Sequence, residues 1–213
     1  MLRRVKPEIL DSMSPDDLEA QRSRRDLRMI NWWMGGEKWI VEELKAMNAQ
    51  KKVRRVVELG AGDGHLAQVL SRGLPDCEVI AIDLQNGEAA DVIWWQGDVM
   101  AYQNFDEETV VVVNLFLHHL EEEVLGKLGG KLNEVRALLA SEPHRARAAQ
   151  VFGKLIFPWI NRVTRHDMMV SIEAGFVPGE LPASLAMTGF SWQEKTALFG
   201  ALRVKGERKG GGF

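Results

Sequence analysis

The stretch from Val56 to Ala67, VVELGAGDGHLA, constrains this chain more than any other. Val56 and Val57 lead into Glu58 and Leu59. Gly60, Gly62 and Gly64 then fall at alternate positions, and a helical pattern follows at once. Glycines at that spacing let a backbone turn sharply out of a strand and let a ligand approach with no Cβ in the way. The segment predicts strand, tight loop and helix, with a nucleotide-like ligand held over the helix N-terminus. An ordinary glycine turn is the alternative for the loop alone; the residues downstream argue against it.

Two kinds of ligand compete for such a loop. The dinucleotide fingerprint is G-x-G-x-x-G, and this chain has His65 where that pattern needs its last glycine. The pyrophosphate of a nicotinamide cofactor depends on the close helix–strand approach that the glycine allows. A nicotinamide dehydrogenase therefore stands only if His65 is tolerated there.

The chain's 213 residues suit one domain with an ample core, extended by a helical lid. A net charge of −3 argues against a general nucleic-acid binder, which would show a basic face. The single cysteine, Cys77, excludes an internal disulfide and offers no cysteine cluster for zinc, so no metal site is expected. MLRR opens the chain, but Asp11, Asp16 and Asp17 follow instead of an apolar run, so no signal peptide is expected. No apolar stretch approaches the ~20 residues that cross a bilayer. These features imply a cytoplasmic protein with no membrane insertion; a monomer or homodimer is expected, the sequence not deciding between them.

Along the chain, residues 1–20 read as a polar arm, with Ser14 as N-cap and Pro15 at the first position of a helix over 15–32. Four arginines (Arg22, Arg24, Arg25, Arg28) stud that helix, as a solvated face would. Gly35-Gly36 breaks it, and residues 37–48 form a second amphipathic helix. Strands are expected at 54–59, 78–83, 92–95, 109–115 and 136–141. Helices are expected at 64–72, 121–132, 146–164 and 179–188, and a hairpin at 190–198 and 201–207. The almost wholly β-branched TVVVVNL of 109–115 fits a central strand covered on both faces. Alternation of strands and helices predicts a parallel α/β sheet. Residues 1–50 form an N-terminal helical cap, 51–208 the main domain with a helical lid at about 146–175, and 209–213 a disordered tail.

Polar residues recur at the strand ends, where an open α/β sheet keeps its ligand crevice. Asp83 ends the second strand, beside Leu84, where a carboxylate can accept both hydroxyls of a ribose. Asp98, in Gly97-Asp98-Val99, can accept from the exocyclic amine of adenine. Asn114 and Leu115 end the fourth strand. Each has a plainer reading: a turn aspartate at 83, a capping aspartate at 98, an asparagine that satisfies only local backbone at 114.

In order and spacing these positions resemble the class I S-adenosylmethionine-dependent methyltransferases. Glu58 to Gly64, including Ala61 and Asp63, resembles that family's first motif, Asp83 its second, Asp98 its third, and Asn114-Leu115 its fourth. The resemblance is strong over roughly 50–145, and GFVPGELPASLAMTGF resembles the family's last helix entering a final hairpin. It implies a Rossmann-like, seven-stranded, mostly parallel sheet with the last strand antiparallel. The cofactor it implies is S-adenosyl-L-methionine, held by Glu58, Gly60, Ala61, Gly62, Asp63, Asp83, Leu84, Gly97, Asp98, Val99, Asn114 and Leu115.

The acceptor is less constrained. Relatives that methylate exocyclic amines or glutamine amides carry Asn/Asp-Pro-Pro-aromatic at the fourth motif. NLFLHHL has no proline and looks more like small-molecule enzymes of quinone and polyketide pathways. A small apolar or aromatic acceptor is expected, with O-methylation favoured over C-methylation. A cofactor-binding protein without turnover and an RNA or protein methyltransferase are the alternatives. An imidazole is suited to take a phenol or enol proton near neutral pH. His144 and His166 are the first choices, with His119 and His118 behind them; a structural histidine is the plainer reading of each. Asn31, Trp32, Trp33, Met34 and Trp39, with Phe152, Phe157, Trp159, Met168 and Met169, are candidates for an apolar pocket wall, or for faces buried on the sheet.

Overall fold

The computed structural model describes residues 2–14 and 16–210. Seven strands form one sheet: β1 (Arg55–Leu59), β2 (Glu78–Asp83), β3 (Ile93–Gln96), β4 (Thr109–Asn114), β5 (Ala137–Pro143), β6 (Phe190–Thr196) and β7 (Ala201–Arg208). Their order is β3-β2-β1-β4-β5-β7-β6. The first five run parallel, and β7 lies antiparallel to both β5 and β6. This is the Rossmann-like arrangement expected from the sequence.

Strand parity builds a core on each face. Val57, Leu59, Val111, Val113, Leu138 and Ala140 pack with Leu125 and Leu128 of α4 (Glu122–Lys131) and Leu181 and Leu185 of α7 (Glu180–Leu185). The alternate residues Val56, Val110, Val112 and Leu139 pack with α2 (Gly36–Gln50) and α3 (His65–Gly73), through Ile40, Leu44, Leu66 and Leu70. α2 thus lies on the sheet itself. A side chain at Gly36 would overlap Asn114 and Ser141, so glycine lets α2 begin flush against the ends of β4 and β5.

A third, smaller core joins α1 (Leu18–Met34), α5 (Arg147–Leu155) and α6 (Arg162–Ala174) through Ile30, Ala149, Ile156, Met168 and Ile172. The single helix expected over 146–164 is two helices. Pro158 sits in a short 3₁₀ turn, Phe157–Trp159, and Asn161 caps α6 by accepting from the Thr164 N–H at 2.9 Å. At α1, Asp17 is the N-cap in place of Ser14, accepting from the backbone N–H of Glu19 and Ala20; Pro15 lies outside the described residues, as do 211–213 of the expected tail.

The polar arm is bound to the domain. The Ile9 and Leu10 N–H groups donate to the two oxygens of Asp167, at 2.8 and 3.0 Å. The Arg3 guanidinium donates to the carbonyls of Ala174, His118 and Leu120 and lies 4.6 Å over the Phe176 ring. Among the described residues no helix is long and apolar enough to cross a membrane.

Candidate active site

The chain reverses direction across the sheet between β1 and β4, where open α/β sheets keep their ligand crevice. The loop after β1 supplies one wall. Gly60, Gly62 and Gly64 have φ of 67°, 57° and 74°, left-handed values that glycine adopts without strain. At Gly60 a side chain would overlap the Phe116 ring, whereas above Gly62 there is open space. Asp83 holds this loop in place: its Oδ2 accepts from the Gly62 N–H and its Oδ1 from the Gln85 N–H, both at 2.9 Å. The carboxylate expected to grip a sugar therefore stands against the glycine turn.

Glu58 is buried beneath the loop, and its Oε2 has no hydrogen-bond partner. Burial raises its carboxyl well above the usual range, aided by the negative charges of Glu37, Asp63 and Asp83. Asn31 of α1 likewise keeps an unpaired Oδ1. Both residues line a cavity of about 290 Å³, together with Gly60, Ala61, Gly62, Asp63, Asn114 and Leu115. One unpaired carboxyl oxygen and an unpaired amide oxygen beside an uncovered glycine suit a ligand carrying an amine and a flat polar base. These residues fit S-adenosylmethionine.

Asp83, Leu84, Gly97, Asp98 and Val99 do not line that cavity. Asp98 is exposed and accepts from the Met100 N–H at 2.9 Å, Val99 is buried in the core, and Leu84 is exposed. Gly97 donates to the Asp83 carbonyl at 2.8 Å, which ties the turn after β3 to the end of β2.

The cavity's other wall gathers residues far apart in sequence. Leu115 takes a left-handed φ of 59° and its N–H donates to Ser141 O. The chain then coils into the turn Leu117–His119. Glu142, wholly buried at the end of β5, accepts there from the N–H groups of Phe116 and Leu117 at 3.0 and 2.8 Å, and from His118 N–H at 3.3 Å. Successive N–H groups around one carboxylate form an anion nest. Glu142 Oε2 also lies 2.8 Å from His118 Nδ1. On the far side of that imidazole stands Glu8, which accepts a short hydrogen bond from Ser171 Oγ.

Burial alone would push His118 down, but Glu142 and Glu8 outweigh it and raise the imidazole to about 9. Burial and the neighbouring His118 charge lower His119. Burial opposes ionisation of Glu8, yet the nearby His118 ring, the charge of His119 and the hydrogen bond from Ser171 hold its carboxyl low.

Glu8, His118, His119 and Ser171 all line the cavity. His144 and His166, the histidines favoured from sequence, do not. The His144 N–H pairs with Gly200 O at 2.7 Å, and the residue bridges to Phe176 in strand fashion. His166 points outward from α6, its side chain 49% exposed and its Nδ1 2.9 Å from Asp167 Oδ1. Helix phase accounts for the position of His166: Met168 and Ile172 of α6 face the cavity, and position 166 falls on the opposite side. Glu8, Glu142 and Ser171 were not singled out from sequence, because no local pattern marks them. Of the expected apolar wall, Asn31, Trp33, Met34, Phe152 and Met168 line the cavity, joined by Phe199 of the β6–β7 turn. Trp32 and Trp159 are exposed, Trp39 packs on the α2 side of the sheet, and Phe157 and Met169 pack in the third core.

Sheet order, glycine loop and crevice define the class I methyltransferase fold. Residues 38–139 match the model of the family described as FtsJ-like methyltransferase. The fold is similar to the plantazolicin methyltransferase BpumL, solved with a triazolic desmethylPZN analog and SAH, at 12% identity over 91% of this chain and 92% of that one, with a TM-score of 0.67. It is also similar to human N-acetylserotonin methyltransferase in complex with SAM (13% identity, 93% and 61% covered, TM-score 0.61) and to the pyocyanin biosynthetic protein PhzM (13%, 91% and 59%, TM-score 0.59). Comparison with curated protein sequences finds no match.

Proposed function

We propose that this chain transfers a methyl group from S-adenosylmethionine to a hydroxyl of a small apolar or aromatic acceptor. One observation carries the reading: a single cavity is lined both by the glycine loop with its unpaired Glu58 and by the polar group Glu8–His118–His119. S-adenosylmethionine supplies a methyl group on a positively charged sulfur. Toward it, Glu58 and Asn31 present unpaired acceptors, Asp83 fixes the loop, and Asn114 stands at the crevice wall. Asp98, on the turn after β3, is assigned to the adenine amine.

Trp33, Met34, Phe152, Met168 and Phe199 form the apolar wall that holds the acceptor and excludes water. The region 146–175, now two helices, acts as the lid. His119 lines the cavity beside His118 and is positioned to take the acceptor's proton as the oxygen becomes the nucleophile. Positioning accounts for much of the rate in such a displacement. The solved structures of similar fold that carry SAH or SAM support the choice of cofactor.

The test uses purified protein, S-adenosylmethionine and a library of phenols and polyketide-like enols, read by mass spectrometry. Products gaining one methyl group, lost in His119→Ala, are expected. Cofactor binding without transfer to any acceptor would leave a binding protein, and transfer confined to RNA or protein would refute the small-acceptor reading.

A further inference from the structure

Glu8, His118 and His119 are delivered by the chain's first residues and by the turn after β4, yet their ligand atoms all lie within 4.8 Å of one another. Glu142 occupies His118 Nδ1 at 2.8 Å, so Nε2 is the nitrogen turned to Glu8. That Nε2 is 3.8 Å from Glu8 Oε1, too long for a hydrogen bond. It is close to the edge of about 3.3 Å expected between two ligands of a tetrahedral ion with bonds of about 2.0 Å. The His119 ring lies beside that of His118, centroids 4.1 Å apart.

The surroundings are those of a metal ligand set. Histidines that bind a metal almost always give their other ring N–H to a carboxylate or carbonyl. Glu142 is the accepting carboxylate here, and with three backbone N–H groups donating to its oxygens it is fixed as a support. Ser171 orients Glu8 in the same manner, and Asp167 holds the backbone of the following residues Ile9 and Leu10. The ion-pair partners of Glu8 and Glu142 are histidine, so the acidic groups here face imidazole.

We propose that Glu8, His118 and His119 bind one divalent transition cation of the zinc or cobalt kind, with its open positions toward the cavity. Two imidazoles and one carboxylate favour such ions over magnesium or calcium, which take oxygen ligands. Three protein ligands leave room for an exogenous oxygen. Side-chain movements of about 1 Å bring the three atoms to bonding distance.

What the cation would do rests on the proposed reaction. Held by Glu8, His118 and His119, the cation would act as a Lewis acid on the acceptor's hydroxyl, whose proton would pass to water and leave the electron pair on the oxygen for attack. With the cation bound, His119 would serve as its ligand in place of acting directly as the base.

The experiment uses full-length protein stripped with a chelator and titrated calorimetrically with Zn²⁺, Co²⁺ and Mg²⁺. One Zn²⁺ or Co²⁺ per chain is expected, with Mg²⁺ far weaker. Glu8→Gln and His119→Ala should each weaken binding at least about tenfold, while the exposed-site control Glu123→Gln binds as wild type. Should the variants fail to fold, electron paramagnetic resonance of Cu²⁺-loaded wild type must still show coupling to two imidazole nitrogens. Absence of stoichiometric binding, wild-type affinity in both variants, or a spectrum without histidine nitrogen would overturn the assignment. Titration of the stripped protein with S-adenosylmethionine is read separately, so loss of the cation site and loss of the methyltransferase reading cannot be confused.

Discussion

The two walls of the cavity are built on opposite plans. The glycine-loop wall is built chiefly from the end of β1 and the short stretch after it, and leaves Glu58 Oε2 without a partner. The histidine wall draws on the chain's start, the turn after β4, the end of β5 and the middle of α6, and its carboxylates are met by several donors. The first is left incomplete for a ligand to finish; the second is assembled by the fold itself. Removing a side chain from the first should therefore cost binding, and from the second, stability.

Glu142→Ala is the severest test. It deletes a buried carboxylate that accepts from three backbone N–H groups and His118, and should cost about 3–5 kcal/mol in urea unfolding. A variant as stable as wild type would erase the contrast. Asp83→Ala should instead weaken S-adenosylmethionine binding at least about tenfold by calorimetry, roughly 1.4 kcal/mol. Unchanged affinity would remove Asp83 from the cofactor site.

Glu58→Gln should separate the two properties within one residue. The native carboxyl has its pKa raised, so the folded state favours the protonated form. Wild-type stability therefore falls as pH rises from the unfolded value of 4.5 until the folded pKa is passed, while the amide shows no such slope. The variant should gain about 1–3 kcal/mol on the alkaline side and bind cofactor more weakly. Parallel stability curves for the two proteins would contradict the burial argument. The smallest effect belongs to His166→Ala: on the exposed side of α6 it should leave turnover within about twofold, against a large loss in His119→Ala.

What the sequence could reveal divides along the same line. Glycine spacing, β-branched runs and strand-end acids are local signals, and they located the parallel strands and the loop that Asp83 holds. The break at Pro158 was equally local, since a proline and the following Asn161 cap mark it; the apolar spacing on both sides concealed it. Glu8 carried no such mark. Its role depends on contacts with residues 110 and more positions away, and nothing in RRVKPEIL announces that Asp167 will grip two of its backbone N–H groups. Which histidines reach the cavity was hidden for the same reason: it depends on helix phase and on Glu142.

The grip of Asp167 on Ile9 and Leu10 has a practical consequence. A protease nick shortly before Ser14 would spare every strand and helix of the sheet domain, yet remove Glu8 and Arg3. Such a clipped chain should keep its secondary structure and its affinity for the methyl donor while losing turnover, an inactivation that circular dichroism alone would overlook.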